Sequence, residues 1–405
     1  MPSAEGDAPL RVLQSFPHKI GSGRISDIAW HQAESASEAG ARVTVFPGVV
    51  HRALPPSISV SPTLARGRWR LPYRALGLVR TLELHDRIVA RRLERIAAEV
   101  DVVHAWPLAA RHTLAKARML GITTVLERPN AHTRFAYEVV QRESDRIGVE
   151  LPRGHEHAFD ATRLRIEEQE YDLADYLLCP SDFVARTFLD RGFTEDRIVR
   201  HAYGYDQSRF FPPGEPRKTG AGITVLFAGF AAVRKGLHFA LDAWLTSPAS
   251  RQGKFLVAGS IYPGYEEHLR DRLAHESVRT LGQRTDVPEL MREADALVLP
   301  SIEEGMPLVT LEALASGCVP LVSDICTDAC VDGFNALVHP VGDVAALAAH
   351  FTRLHEDRAL LDRLAENSVA SARQYTWNRA GEVLLQAYLD ALARHGVTYA
   401  AGRPG

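Results

Sequence analysis

Two glutamates and two adjacent cations carry the most legible chemistry in this chain. Glu304 lies in the acidic glycine loop Ser301-Ile302-Glu303-Glu304-Gly305, and Glu312 follows after seven intervening residues. Met306, Pro307 and Leu308 open a predicted helix that Gly317 closes. Pro307 suits the first helical position, where its missing N–H costs nothing. Free amides across Gly305 to Leu308 would favour a phosphate. Glu312 lies about 7.5 Å further along the helix axis, within reach of a ribose beyond the phosphates. Carboxylates grip sugar hydroxyls while a helix end grips phosphate, so the pattern points to a sugar joined to a nucleoside diphosphate. Without context, the plainer reading of the same residues, a solvated loop and a surface helix position, would win.

Arg234-Lys235-Gly236 follows the apolar run Ile223–Ala228 and the turn Gly229-Phe230-Ala231-Ala232. Two cations at that place suit a diphosphate that gains charge as its bond to a sugar breaks. Gly21-Ser22-Gly23 ahead of a helical pattern reads as an anion-binding turn or simply a tight one, because a third glycine is missing. Base recognition is expected from backbone near 282–287, with Arg284 beside it.

These residues need elements to hold them. Short apolar runs without polar alternation recur between helical patterns, among them Val102–His104, Thr123–Leu126, Tyr176–Cys179, Phe255–Ala258, Ala296–Leu299 and Val319–Val322. Such runs are strands of parallel sheets buried on both faces. Ala174-Asp175…Pro180-Ser181 is echoed by Ala294-Asp295…Pro300-Ser301, as two sheets of one design would produce. Ligands of such sheets sit beyond the carboxyl ends of the strands. Ser15, His18, His104, Arg128 to His132, Ser181, Gly229, Gly259 and Ser301 to Gly305 are expected there, on two edges facing across a cleft.

The 405 residues are too many for one ordinary core. The predicted division is an amino domain over 1–212, a donor domain over 213–376, and a final helix with its tail over 377–405. Proline and glycine crowd the boundary at 211–216. A formal net charge of −3 gives no field favouring nucleic acid. Four cysteines form no metal-ligand pattern and read as reduced, buried thiols of a cytoplasmic protein. The opening residues lack the pattern of a signal peptide, and no apolar run approaches a bilayer-spanning length.

The carboxyl half resembles the retaining glycosyltransferases of family 4. Their E-x7-E motif matches Glu304 and Glu312, and their phosphate-binding cations match Arg234 and Lys235. Gly204-Tyr205-Asp206 with Phe210-Phe211-Pro212 is similar to the family's linker, and Tyr375-Thr376-Trp377 also fits. The resemblance covers about 101–392. It implies a GT-B α/β architecture: two Rossmann-like domains facing across a cleft, with the last helix crossing back to the amino domain. It further implies Glu304 on the donor sugar, Glu312 on the ribose, and His132 facing the donor from the amino half. A lone histidine is as often structural. The chain departs from the pattern at Phe230, where many members have arginine. The implied reaction is hexosyl transfer with retention from a nucleotide-sugar donor to a glycan or lipid-linked acceptor of surface polysaccharide, lipopolysaccharide or another glycoconjugate. Leaving-group stabilisation replaces a protein nucleophile, and no metal or other cofactor is expected.

Residues 64–80 interleave Arg66, Arg68, Arg70, Arg74 and Arg80 with Trp69, Tyr73, Leu76, Leu78 and Val79 and contain no acids. They read either as a peripheral contact with an anionic membrane or as a basic amphipathic helix packed on the amino domain. The competing functions are a GT-B nucleotide-sugar epimerase or phosphorylase, a dinucleotide oxidoreductase, and a non-catalytic nucleotide-sugar-binding subunit. A phosphorylase usually needs a much longer chain, and the incomplete glycine fingerprint disfavours the oxidoreductase.

Overall fold

The structure, a computed structural model, describes residues 8–66, 69–70, 77–152, 154–214 and 222–396. Two parallel sheets organise it. The amino sheet holds β1 (Arg11–Ile20), β2 (Arg42–Val50), β3 (Ser59–Val60), β6 (Val102–Ala105), β7 (Thr123–Glu127), β8 (Tyr176–Cys179) and β9 (Ile198–Arg200), in the order β3-β2-β1-β6-β7-β8-β9. A short antiparallel pair, β4 (Ala65–Arg66) and β5 (Trp69–Arg70), stands apart from it. The carboxyl sheet holds β10 (Thr224–Ala228), β11 (Lys254–Ala258), β12 (Val278–Gly282), β13 (Ala296–Leu299), β14 (Val319–Ser323) and β15 (Leu337–His339), in the order β12-β11-β10-β13-β14-β15. Strand order reverses between β1 and β6 in one sheet and between β10 and β13 in the other. A crevice opens where neighbouring connections leave in opposite directions, and ligands of open α/β sheets bind there. The turn carrying Arg234 and Lys235 follows β10, and the loop carrying Glu304 follows β13.

The sequence echo has a structural counterpart. Asp175 accepts the Thr124 amide at 2.9 Å, and Asp295 accepts the Thr224 amide at 2.8 Å. In each lobe an aspartate ahead of one strand thus ties down the start of its neighbour.

The lobes are joined twice at one place. The Tyr205 amide donates to the Tyr375 carbonyl at 3.0 Å, where the outward and returning chains meet. A Cβ on Gly204 would lie 2.5 Å from the Trp377 nitrogen, so the crossing has no room for a side chain. The helix Trp377–Arg394 then packs on the helix Ile25–Glu38 of the amino lobe. Its Tyr388 hydroxyl meets His104 Nδ1 at 2.8 Å. His104 belongs to a buried cluster around Glu127, which also receives Gln32 Nε2 at 2.8 Å and the Tyr203 hydroxyl at 2.8 Å. A buried carboxylate persists only when its lone pairs are met, and Glu127 is met from three segments.

Several expectations need correction. β1 runs to Ile20, so Ser15 and His18 lie within the strand rather than beyond it. The helix after the Glu304 loop spans Leu308–Ala315, with Pro307 as its N-cap rather than its first residue. The edge strands β9 and β12 have too little continuous apolar sequence to be read in advance; β12 is Val-Arg-Thr-Leu-Gly. The 64–80 segment is not one helix. It carries β4 and β5, and its helix Leu78–Arg95 begins only at Leu78. Residues 67–68 and 71–76 of that segment, and the tail 400–405, lie outside the described residues. No helix among the described residues is long and apolar enough to cross a membrane.

Candidate active site

After β10 the chain turns through the short 3₁₀ segment Val233–Lys235 and enters the helix Leu237–Thr246 by way of Gly236. Gly236 has φ of +66°, and a Cβ there would lie 2.0 Å from the Pro300 carbonyl oxygen. Only glycine lets this turn press against the end of β13. The Ile302 amide donates to the Arg234 carbonyl at 2.9 Å, which locks turn and loop together.

Glu304 is buried between the two cations. Arg234 Nη1 lies 3.0 Å from Glu304 Oε2, and Lys235 Nζ bonds Oε1. The Ser301 hydroxyl donates to Oε1 at 2.8 Å. Burial opposes the charged form, but Arg234 and then Lys235 outweigh it and hold the Glu304 carboxyl at about 2. The carboxylate is therefore ionised throughout the physiological range. Glu303 is also buried. It accepts the Ala131 amide at 3.0 Å, and His157 Nε2 lies 3.4 Å from it.

The same loop touches the amino lobe. A Cβ on Gly305 would lie 1.8 Å from the Pro129 carbonyl oxygen, and the Ser181 hydroxyl donates to the Gly305 carbonyl at 2.7 Å. The Met306 side chain is buried in the core, and its sulfur accepts the Tyr203 amide. Pro307 has no N–H, so Leu308 and Val309 supply the leading amides of the helix. Glu312 is half-buried on that helix, and burial pushes its carboxyl up to about 7, with Arg209 and Asp206 nearby.

The structure thus gathers Glu304, Arg234, Lys235 and Gly305 to Leu308 at the β10/β13 switch point. Gly229 caps β10 with φ of +138° and open space on its Cβ side, while its amide is given to Ala258. Other expected residues stand differently. His132 is the N-cap of the helix Thr133–Ile147, its Nδ1 accepting the Arg134 amide at 3.2 Å. Its ring packs on Tyr171 and Phe188. Burial first, then Arg128, lowers it to about 3, so it is neutral. That is a structural setting, and the histidine that faces the buried carboxylates is His157. The Gly21 amide is given to the Ser26 carbonyl and the Gly23 amide to Asp27 at 2.9 Å. An anion at that turn would compete with a carboxylate already in place. Arg284 is exposed and paired with Asp286 at 2.8 Å. Sequence reasoning missed His157, which lies in a polar loop with no periodic signal, and it gave Glu303 no role of its own.

A family model described as glycosyl transferases group 1 matches residues 222–357. The D-inositol 3-phosphate glycosyltransferase of Salinispora arenicola is 34% identical over 439 positions, 96% of this chain and 92% of that protein. A Campylobacter jejuni protein, N,N'-diacetylbacillosaminyl-diphospho-undecaprenol alpha-1,3-N-acetylgalactosaminyltransferase, is 35% identical over 114 residues, 28% of this chain and 30% of the relative. For this and two further curated relatives the chain spans less than half of their length, 30, 45 and 48%. The solved structure of Anabaena HepE in complex with UDP and glucose superposes with a TM-score of 0.61 at 15% identity, covering 93% of this chain and 98% of that one. That likeness fixes the two-lobed GT-B fold. With 34% identity along nearly the whole of both chains, this protein belongs to the group 1 glycosyltransferases.

Proposed function

We propose that this protein transfers a hexose, with retention and without a metal ion, from a nucleoside-diphosphate sugar to a lipid-linked or glycan acceptor of surface polysaccharide or glycoconjugate assembly. The observation that carries the reading is the buried Glu304 carboxylate held between Arg234 and Lys235 at the switch point of the donor sheet. An ammonium has three donors and a guanidinium five, so each cation can serve Glu304 and a phosphate together. Glu304 would accept hydrogen bonds from the donor sugar, and ionised Glu312 from the ribose. Arg234, Lys235 and the Leu308 and Val309 amides would meet the charge that develops on the leaving diphosphate. The acceptor oxygen bonds the anomeric carbon on the face from which the diphosphate departs, and its proton passes to a departing phosphate oxygen. Positioning and charge stabilisation then replace a protein nucleophile. The relatives named for sugar transfer to a diphospho-undecaprenol carrier, and HepE with its UDP and glucose, support the substrate classes. The protein would act at the cytoplasmic face, with the arginine-rich 64–80 segment as a peripheral contact to anionic lipid.

A thermal-shift panel of UDP-, GDP- and ADP-sugars tests this. One donor class should raise Tm in proportion to occupancy. Stabilisation by NAD(H) alone would make the protein a dinucleotide enzyme instead.

A further inference from the structure

A cavity of about 790 Å³ lies in the amino lobe, bordered by the helices Leu78–Arg95, Thr133–Ile147 and Ala161–Leu173. Its described walls are mainly apolar, with Leu82, Leu108, Leu151 and Ile166 among them. Leu78, Val79 and Phe159 stand in its rim, 56, 48 and 64% exposed. Large side chains of this kind exposed around a cavity mark a binding surface.

This cavity shares Tyr137 and Arg163 with a smaller polar one of about 50 Å³. Tyr137, Arg128 and His157 line the smaller cavity and are only 4, 2 and 5% exposed; Arg128 Nε has no hydrogen-bond partner, and His157 Nδ1 has only Glu156 Oε1 at 3.6 Å. Buried polar atoms are normally paired, so an unmet guanidinium nitrogen beside a weakly met imidazole calls for a polar guest. The other nitrogen of that histidine faces Glu303, which leads directly to Arg234.

We infer that the two cavities form one bipartite acceptor site. The hydroxyl-bearing head of a lipid-linked acceptor lies among Tyr137, Arg128 and His157, and its apolar chain fills the larger cavity, entering past Val79 and Phe159. This rests on the glycosyl-transfer reading and specifies its acceptor as an amphiphile.

Calorimetric titration of the full chain with methyl, hexyl and octyl β-glucosides, below micelle formation, tests it. Each buried methylene should strengthen binding about three- to fourfold, so octyl should exceed hexyl by about tenfold. Phe159→Asp and Val79→Asp lie on the exposed rim and should each remove most of that dependence while UDP binding stays unchanged. No chain-length dependence in the wild type, no binding of any glucoside, or a Phe159-dependent dimer in sedimentation would each overturn the inference. Failure of UDP, GDP and ADP alike to bind the wild type would instead remove the donor reading and leave the chain-length result standing.

Discussion

Ser181 and Ser301 each follow a strand through a Pro-Ser pair, β8 in the amino sheet and β13 in the carboxyl sheet, and their hydroxyls hold adjacent residues of one loop. Ser181 donates to the Gly305 carbonyl from the amino lobe, and Ser301 donates to the Glu304 carboxylate from the carboxyl lobe. The loop that carries the donor carboxylate is therefore gripped from both sides of the cleft. Removing the amino-lobe grip by Ser181→Ala leaves a buried carbonyl unmet, at about 1–2 kcal/mol. That cost falls on the contact between the lobes. We expect kcat/KM for the donor to fall roughly five- to thirtyfold and Tm to fall as well, because the same hydroxyl accepts the Val184 amide at 3.2 Å as the N-cap of the helix Asp182–Leu189. Unchanged kinetics would show that the contact does not help turnover.

Gly236 and Gly282 have the same φ of +66°, but only Gly236 faces a neighbour, the Pro300 carbonyl. Alanine at Gly282 should cost about 1–2 kcal/mol for the left-handed backbone alone. Alanine at Gly236 must in addition push the β13 loop away, adding about 1–3 kcal/mol. Urea unfolding of the two variants checks the difference; equal losses would mean that the turn is not pressed against the loop.

Glu312 sets the expected pH dependence. Its carboxyl titrates at about 7 against an ordinary 4.5, raised mainly by burial. The folded state therefore keeps a proton between those values that the unfolded chain has lost, and this group's contribution to stability falls as pH rises from 4.5 to 7. Donor binding has the opposite sign, because only the ionised form accepts two ribose hydroxyl bonds. Donor affinity should climb as pH passes through 7 and become flat in Glu312→Gln. Glu304, held at about 2, contributes nothing to this profile.

In the proposed reaction, Arg234 and Lys235 would supply the positive charge that a divalent cation would otherwise bring to a diphosphate. Turnover after EDTA treatment and dialysis should stay within about twofold of the untreated enzyme. Activity restored only by Mg²⁺ or Mn²⁺ would reject the metal-free part of the reading.

Much of this was legible in the sequence where local pattern and chemistry coincide. Continuous apolar runs announced the buried strands; Glu304, Arg234 and Lys235 stood in turns after strands, and Glu312 followed in the next helix at a recognisable spacing. The Ala-Asp…Pro-Ser echo was visible, but its meaning was not, because both serines act through one loop that only folding brings between them. The Glu127 cluster draws on Gln32, His104 and Tyr203, single residues far apart in the chain, and leaves no local signature. His132 looked like a cleft residue because it follows a strand, yet its backbone position makes it a helix cap. His157 reaches Glu303 from a loop whose course no periodicity predicts.

Lys235 and its carboxylate partner Glu304 are the centre of the proposed site. Release of nucleoside diphosphate from the preferred donor, measured for the wild type, Lys235→Ala and Glu304→Ala, is the decisive measurement. Loss of a charge-stabilising donor should lower kcat by about 10²–10³-fold in Lys235→Ala. Glu304→Ala should bring turnover close to background, with both variants folded by circular dichroism. Wild-type turnover in either folded variant would contradict the assignment of the site.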